Sequence, residues 1–143
     1  MIFLTSQHLS LLFSNSKDDS DKDLASLMNE VEDSNIHDRY RGAAIVLRVC
    51  LEHLVWIRTL KKEAANVKVD KAVLTELTNH MRSHKFEDKE INDASSAFKF
   101  LLDLGDTAAH YELRDQSRKK PPTKANVDYG ILKFDKLSNI VYK

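Results

Sequence analysis

The sequence has few of the residues that interrupt helices or cross-link a chain. Its 143 residues include 3 Gly, 2 Pro and 1 Cys. This scarcity of glycine and proline argues against collagen-like and disordered chains and disfavours turn-rich all-β folds. Because Cys50 is the single cysteine, no disulfide can form within the chain. A zinc site at Cys50 would need its remaining ligands from residues other than cysteine. The composition therefore favours an all-α protein, and we expect it in the cytoplasm.

Net charge and long apolar runs are also absent. Lys+Arg and Asp+Glu each number 22, so no global field recruits nucleic acid or an anionic membrane. No run of about 18 apolar residues predicts a membrane span. The apolar start contains Gln7 and His8 and lacks a basic region, so we expect an N-terminal arm or short helix over residues 1–19 rather than a secretory signal. Residues 20–143 are predicted to form one domain.

Helical periodicity runs through most of that domain. Residues 36–65 are apolar on nearly every side, which predicts a central helix with Trp56 at its heart. In other segments the apolar residues recur every three or four positions: residues 24–31, 73–81, 91–104 and 131–141. Asp70 is a candidate N-cap for the helix over 73–81. We therefore predict an all-α bundle of about five helices.

Charged residues on one side of the central helix suggest a polar site. Arg41, Arg48 and Glu52 share that side, with Arg48 and Glu52 one turn apart. Burying an unpaired charge is costly, so we expect them to be paired. One interpretation is a buried ion pair that fixes helix packing. The other is a polar pocket facing His110.

A second polar stripe either meets water or lines a site. It comprises residues spaced three or four apart: Lys99, Asp103, Asp106, His110 and Arg114. His110 exchanges a proton near neutral pH, and Asp106 is one turn away to orient it. Gly105 has two interpretations, the end of one helix with Asp106 capping the next, or a position inside a continuous helix. We favour the cap because it explains more residues and places Asp106 and His110 near a helix start.

The segments Gly42–Glu52 and Leu104–His110 carry a family resemblance. They resemble the R-x-x-L-E helix and the G-N-x-A-A-H turn of uncharacterised bacterial proteins in the HEPN superfamily, over about residues 24–142. The resemblance implies a HEPN-like bundle of four or five helices, a homodimer, and an association with RNA or DNA in a defence or toxin-like system such as phage defence. The superfamily includes ribonucleases of toxin–antitoxin, abortive-infection and restriction systems.

The usual ribonuclease motif is incomplete in this chain. Active HEPN proteins resemble one another in an R-x(4 to 6)-H motif, whose Arg stabilises the scissile phosphate and whose His assists proton transfer. His110 matches the histidine, but Gly105, Leu104 and Asp103 stand where the Arg would be. We therefore expect no ribonuclease activity by this mechanism. The candidate catalytic residues are His110, Asp106, Arg48 and Glu52, and we expect no cofactor and no metal.

A basic run near the C-terminus is the candidate nucleic-acid contact. Its cations are Arg114, Arg118, Lys119, Lys120 and Lys124. Pro121 and Pro122 predict a loop there. Contact with phosphate would weaken steeply with salt, but no aromatic residue in the run stacks on bases. The alternative is a solvated loop.

Two histidines have the spacing of metal ligands on one helix face, His80 and His84. Apart from nearby Glu76 and Glu87, no cysteine or closely spaced carboxylate completes a shell, and a solvated face is favoured. Two functions remain open for the whole chain. One is a nucleic-acid-associated domain, and the other is a catalytically silent module for protein–protein interaction or dimerisation.

Overall fold

The computed structural model describes residues 19–63, 65, 67–110 and 121–141. Within this part of the chain there are five α-helices and no strand: α1 (Asp19–Ile36), α2 (Tyr40–Glu52), α3 (Lys71–Ser83), α4 (Asp88–His110) and α5 (Lys124–Val141). A π-helical segment, His53–Thr59, continues α2 without a break. The predicted all-α bundle of about five helices is confirmed. Residues 1–18 of the predicted arm lie outside the described residues.

Helix α2 is the centre of the bundle, as its sequence predicts. It packs against α1, α4 and α5. From α1, Leu24 and Met28 are fully buried, and from α2, Leu47 and Leu51 are too. Removing such side chains from water is the main favourable contribution to folding.

The predicted start of the central helix at Ile36 is wrong by four residues. Ile36 ends α1 and is 56% exposed. Asp38 then takes a left-handed backbone conformation with φ of 60°, which separates the two helices. The Tyr40 hydroxyl donates a hydrogen bond to Asp38 Oδ1 at 2.6 Å and holds this turn.

The helix also ends earlier than the predicted Ala65. The backbone N–H of Leu60 donates to the Val55 carbonyl at 2.9 Å, which is the wide hydrogen bond of a π turn. The Thr59 hydroxyl donates a 2.8 Å hydrogen bond to the Leu54 carbonyl, which is another backbone acceptor in the last turn of the helix. Trp56 is half-buried against the core, and its Nε1 donates to the Glu63 carbonyl at 2.8 Å.

Helix α3 begins as predicted. The Asp70 carboxylate accepts hydrogen bonds from the backbone N–H groups of Ala72 at 2.9 Å and Val73 at 3.3 Å. Asp70 is therefore the N-cap, which satisfies donors that have no partner inside the helix. Val73 and Leu77 from the predicted apolar stripe are buried.

Helix α4 is continuous through Gly105, so the predicted break with Asp106 as a new cap is wrong. Asp106 and His110 therefore lie at the end of a helix, not near a start. The reason is a contact with α2. A Cβ atom on Gly105 would lie 2.4 Å from the Arg48 Cβ, so glycine is needed for the two helices to approach this closely.

Helix α5 closes the bundle and runs antiparallel to α4. The Lys136 ammonium lies 3.6 Å from the Asp93 carboxylate, whereas Gly130, nearer the start of α5, packs against Leu104, nearer the end of α4. Phe134 is fully buried in the core. No helix among the described residues is long and apolar enough to cross a membrane.

Candidate functional site

The two segments that carry the family resemblance meet where α2 crosses α4. The aliphatic stem of Arg48 packs over Gly105, and its Nη1 lies 3.7 Å from Asp106 Oδ1. Its Nη2 donates a long hydrogen bond, 3.4 Å, to the Val69 carbonyl. The Arg48 side chain is 27% exposed. Arg48 thus joins α2 both to α4 and to the segment that precedes α3.

A second arginine of α2 contacts the same helix. Arg41 Nε donates a 2.8 Å hydrogen bond to the Ala108 carbonyl, which belongs to the last turn of α4. The carbonyls of a last helical turn lack partners within the helix and attract cations. Sequence reasoning placed Arg41 on the polar side of α2, but only the antiparallel packing of α2 and α4 identifies its partner.

Arg48 and Asp106 line an open cleft of about 340 Å³ between α2, α4 and the start of α3. Among the described residues of its lining, Lys71 is a second cation, and Asp70 and Asp103 add to the carboxylate of Asp106. A neighbouring hollow of about 580 Å³ shares Lys71 and Asp103. Its described lining therefore has three carboxylates and two cations, a balance that does not favour a phosphate ligand.

Glu52 lies one turn beyond Arg48 on α2. Burial raises the pKa of the half-buried Glu52 carboxyl, and the positive charge of Arg48 offsets part of that rise. Glu52 is absent from the described lining of the cleft, whereas Arg48 and Asp106 are both in it. Of the candidate catalytic residues, the structure therefore brings Arg48 and Asp106 together.

Several predicted site residues fall outside the described part of the chain. The backbone of His110 ends α4, and its side chain is outside the description. Its convergence with Arg48 stays a prediction. The same applies to the basic run at Arg114, Arg118, Lys119 and Lys120. Lys124 is described, and its Nζ lies 3.3 Å from Asp128 Oδ1, one turn along α5.

A larger groove, of about 660 Å³, lies between the first half of α4 and α5. Tyr129 is 46% exposed and Leu132 is 45% exposed beside it. Sequence reasoning did not single out this surface. The available signal was that both residues are apolar but lie off the buried stripe of Ile131 and Phe134.

Metal-ligating side chains are not clustered in the described ranges. Among these residues no group of three or more His, Cys, Asp or Glu side chains has the arrangement to hold a metal ion. Cys50 is fully buried, and that burial raises the pKa of its thiol. His80 and His84 are the exception to this dispersal, because their rings lie side by side.

Comparison with known proteins found no match to this chain. No protein-family model, curated protein or solved structure matches the chain. The HEPN resemblance therefore stays a prediction that rests on the two motifs.

Proposed function

We propose that this chain is a catalytically silent HEPN-like interaction module that associates with a second copy of itself. The observation that carries the proposal is the position of Arg48. Its stem packs on Gly105 and holds α2 against α4, and its guanidinium, the charge most suited to a phosphate, faces the Asp106 carboxylate. This supports a structural role for the R-x-x-L-E segment.

Electrostatics near Arg48 also argue against phosphate chemistry. The cleft lining includes Asp70, Asp103 and Asp106 together with the cations Arg48 and Lys71. Carboxylates beside a scissile phosphate repel its negative charge, and an RNase site needs the opposite arrangement. The absence of Arg at the motif positions before His110 supports the same conclusion.

The groove between α4 and α5 is the surface that we assign to self-association. Tyr129 and Leu132 give it a nearly half-exposed apolar floor, a feature typical of the core of an interface. Its described rim carries three cations and three carboxylates: Lys89, Lys133, Lys136, Glu90, Asp93 and Asp135. A neutral rim of mixed sign does not repel an identical rim, so charge permits two copies to approach.

Catalytic silence is tested by incubating the full chain with mixed RNA, without and with divalent metal. We expect no cleavage from the wild type or from His110→Ala. The control is His37→Ala, which changes an exposed histidine at the end of α1. Cleavage by the wild type and by His37→Ala, but not by His110→Ala, would contradict the proposal.

Self-association is tested by sedimentation equilibrium across the micromolar range. We expect a dimer for the wild type and a monomer for Leu132→Glu. Burying the new carboxylate between two copies would cost more free energy than the apolar contact contributes. Ile36→Glu is the matched control, since Ile36 is also an exposed apolar residue, 56% exposed against 45% for Leu132, but lies at the end of α1. A monomeric wild type, or equal dissociation by both variants, would overturn the assignment, with circular dichroism confirming that each variant is folded.

A second candidate function is binding of RNA by the basic run. Residues 114–124 contain five cations and one carboxylate, Asp115. Fluorescence anisotropy with single-stranded RNA over a range of salt tests this idea. Replacing Lys119 and Lys120 by Gln should reduce the salt slope by about 1.4, whereas the same change at the exposed Lys68 and Lys99 should not. Equal slopes for both double variants would exclude binding through this run.

A further inference from the structure

Two histidines lie one helical turn apart at the C-terminal end of α3. His80 belongs to the last turn, and His84 is the residue that follows the helix. Their ring centroids are 4.1 Å apart, with 30° between the ring planes. The two imidazoles thus form a compact pair on the surface of the domain.

The hydrogen bonds of His84 determine which of its nitrogens is available. Its Nδ1 lies 2.8 Å from the His80 carbonyl oxygen, and Ser83 Oγ is 3.1 Å from the same nitrogen. A carbonyl oxygen can only accept, so Nδ1 carries the proton in this contact. Nε2 of His84 then has a free lone pair. Metal-binding histidines commonly donate their other ring N–H to a backbone carbonyl in this way.

His80 supplies the second imidazole of the pair, and the geometry of the two rings, with centroids 4.1 Å apart, is what marks the site. Its partial burial, and then the neighbouring His84, lower the pKa of His80 below its ordinary value. Only the neutral ring has the lone pair that a metal ion needs.

We propose that His80 and His84 together bind one divalent transition-metal ion of the kind that prefers imidazole, namely Cu²⁺, Ni²⁺ or Zn²⁺. Metal–nitrogen bonds are about 2.1 Å long. With the ring centroids 4.1 Å apart, one ion binds both rings once the side chains rotate so that their in-plane lone pairs point at the same ion. Water completes the coordination, because no third ligating side chain joins the pair in the described residues. This makes it an exchangeable surface site, and it is independent of the proposed self-association.

The test is titration of the full chain with Cu²⁺ at neutral pH, followed by electron paramagnetic resonance and calorimetry. We expect one ion per chain with hyperfine coupling to two imidazole nitrogens. His80→Asn and His84→Asn should each weaken binding by at least about tenfold, because the second imidazole binds intramolecularly. His84 also closes the end of α3, whereas His80→Asn leaves that contact of the His84 ring in place.

A matched control is present in the same chain. His37 Nδ1 lies 2.8 Å from the Asp33 carbonyl, the same contact that His84 makes, but no histidine lies one turn away. His37→Asn should therefore bind Cu²⁺ like the wild type. Wild-type affinity in His80→Asn, equal weakening in His37→Asn, or no bound ion in the wild type would each overturn the proposal.

Discussion

The stem of Arg48 lies against Gly105, and a single methyl group on that glycine would overlap it. An added Cβ would be 2.4 Å from the Arg48 Cβ and 2.7 Å from its Cδ. Glycine inside a helix costs about 1 kcal/mol relative to alanine. Close packing of α2 on α4 accounts for the presence of glycine here. The same contact joins the two motif segments, since the stem of Arg48 in one packs on Gly105 in the other.

Gly105→Ala is expected to destabilise the domain even though alanine is the better helix former. The overlap with Arg48 should cost about 1–3 kcal/mol of unfolding free energy. Gly42→Ala in α2 is the matched control, because in the described part of the chain no atom outside its own stretch of helix lies within 4 Å of the added Cβ. It should gain up to about 1 kcal/mol. Urea denaturation followed by far-UV circular dichroism measures both. A stabilised Gly105→Ala variant would contradict the close approach.

Arg48 should contribute more through its stem than through its charge. The partly exposed pair with Asp106 should show a coupling of about 1 kcal/mol or less in a double-mutant cycle with Arg48→Met and Asp106→Asn. Arg48→Ala should cost more than Arg48→Met, because it also removes the packing over Gly105. Equal urea midpoints for Arg48→Met and Arg48→Ala would show that the stem contributes little.

The N-cap of α3 at Asp70 is expected to contribute to the stability of the domain. Asp70→Ala should lower the free energy of unfolding by about 1 kcal/mol, because the N–H groups of Ala72 and Val73 lose their acceptor. Asp70→Ser should restore most of this loss. Lys71→Ala is the control, because it changes a neighbouring exposed residue and leaves the cap at Asp70 intact. Thermal unfolding compares the set, and an unchanged Asp70→Ala would argue against the cap.

Glu52 should make stability fall as pH rises through the acid range. Burial raises the folded-state pKa of Glu52, so between its ordinary and its raised pKa the folded state holds more protons than the unfolded state. The free energy of unfolding therefore declines across that window. Glu52→Gln should be more stable than the wild type at neutral pH, and this advantage should vanish below the ordinary pKa. Glu87→Gln removes a carboxylate at an exposed position and is the control. Parallel pH profiles for the two variants would refute the effect.

Sequence patterns sufficed where a single feature decides the structure. The apolar stripes of α1, α3 and α5 predict those helices. Asp70 is predictable as an N-cap because the backbone N–H groups that it accepts from belong to residues two and three positions later. The ends of the central helix were not predictable in this way. They depend on a left-handed turn at Asp38 and on a π turn after Leu54, which hydropathy does not encode.

The candidate site shows the same division. Spacing identified Arg48, Asp106 and His110 as polar residues on apolar helices, and the family resemblance suggested that the two segments belong together. Spacing could not show that Arg48 faces Asp106, or that His80 and His84 place their rings side by side.

Local sequence determined that this chain is helical, which faces of its helices are apolar and where α3 begins, because each depends on residues a few positions apart. The tertiary structure decided that α4 passes through Gly105 and that Arg48 and Arg41 hold it against α2. Those outcomes depend on contacts between residues more than fifty positions apart, where the fit of one helix surface to another outweighs the conformational preference of glycine.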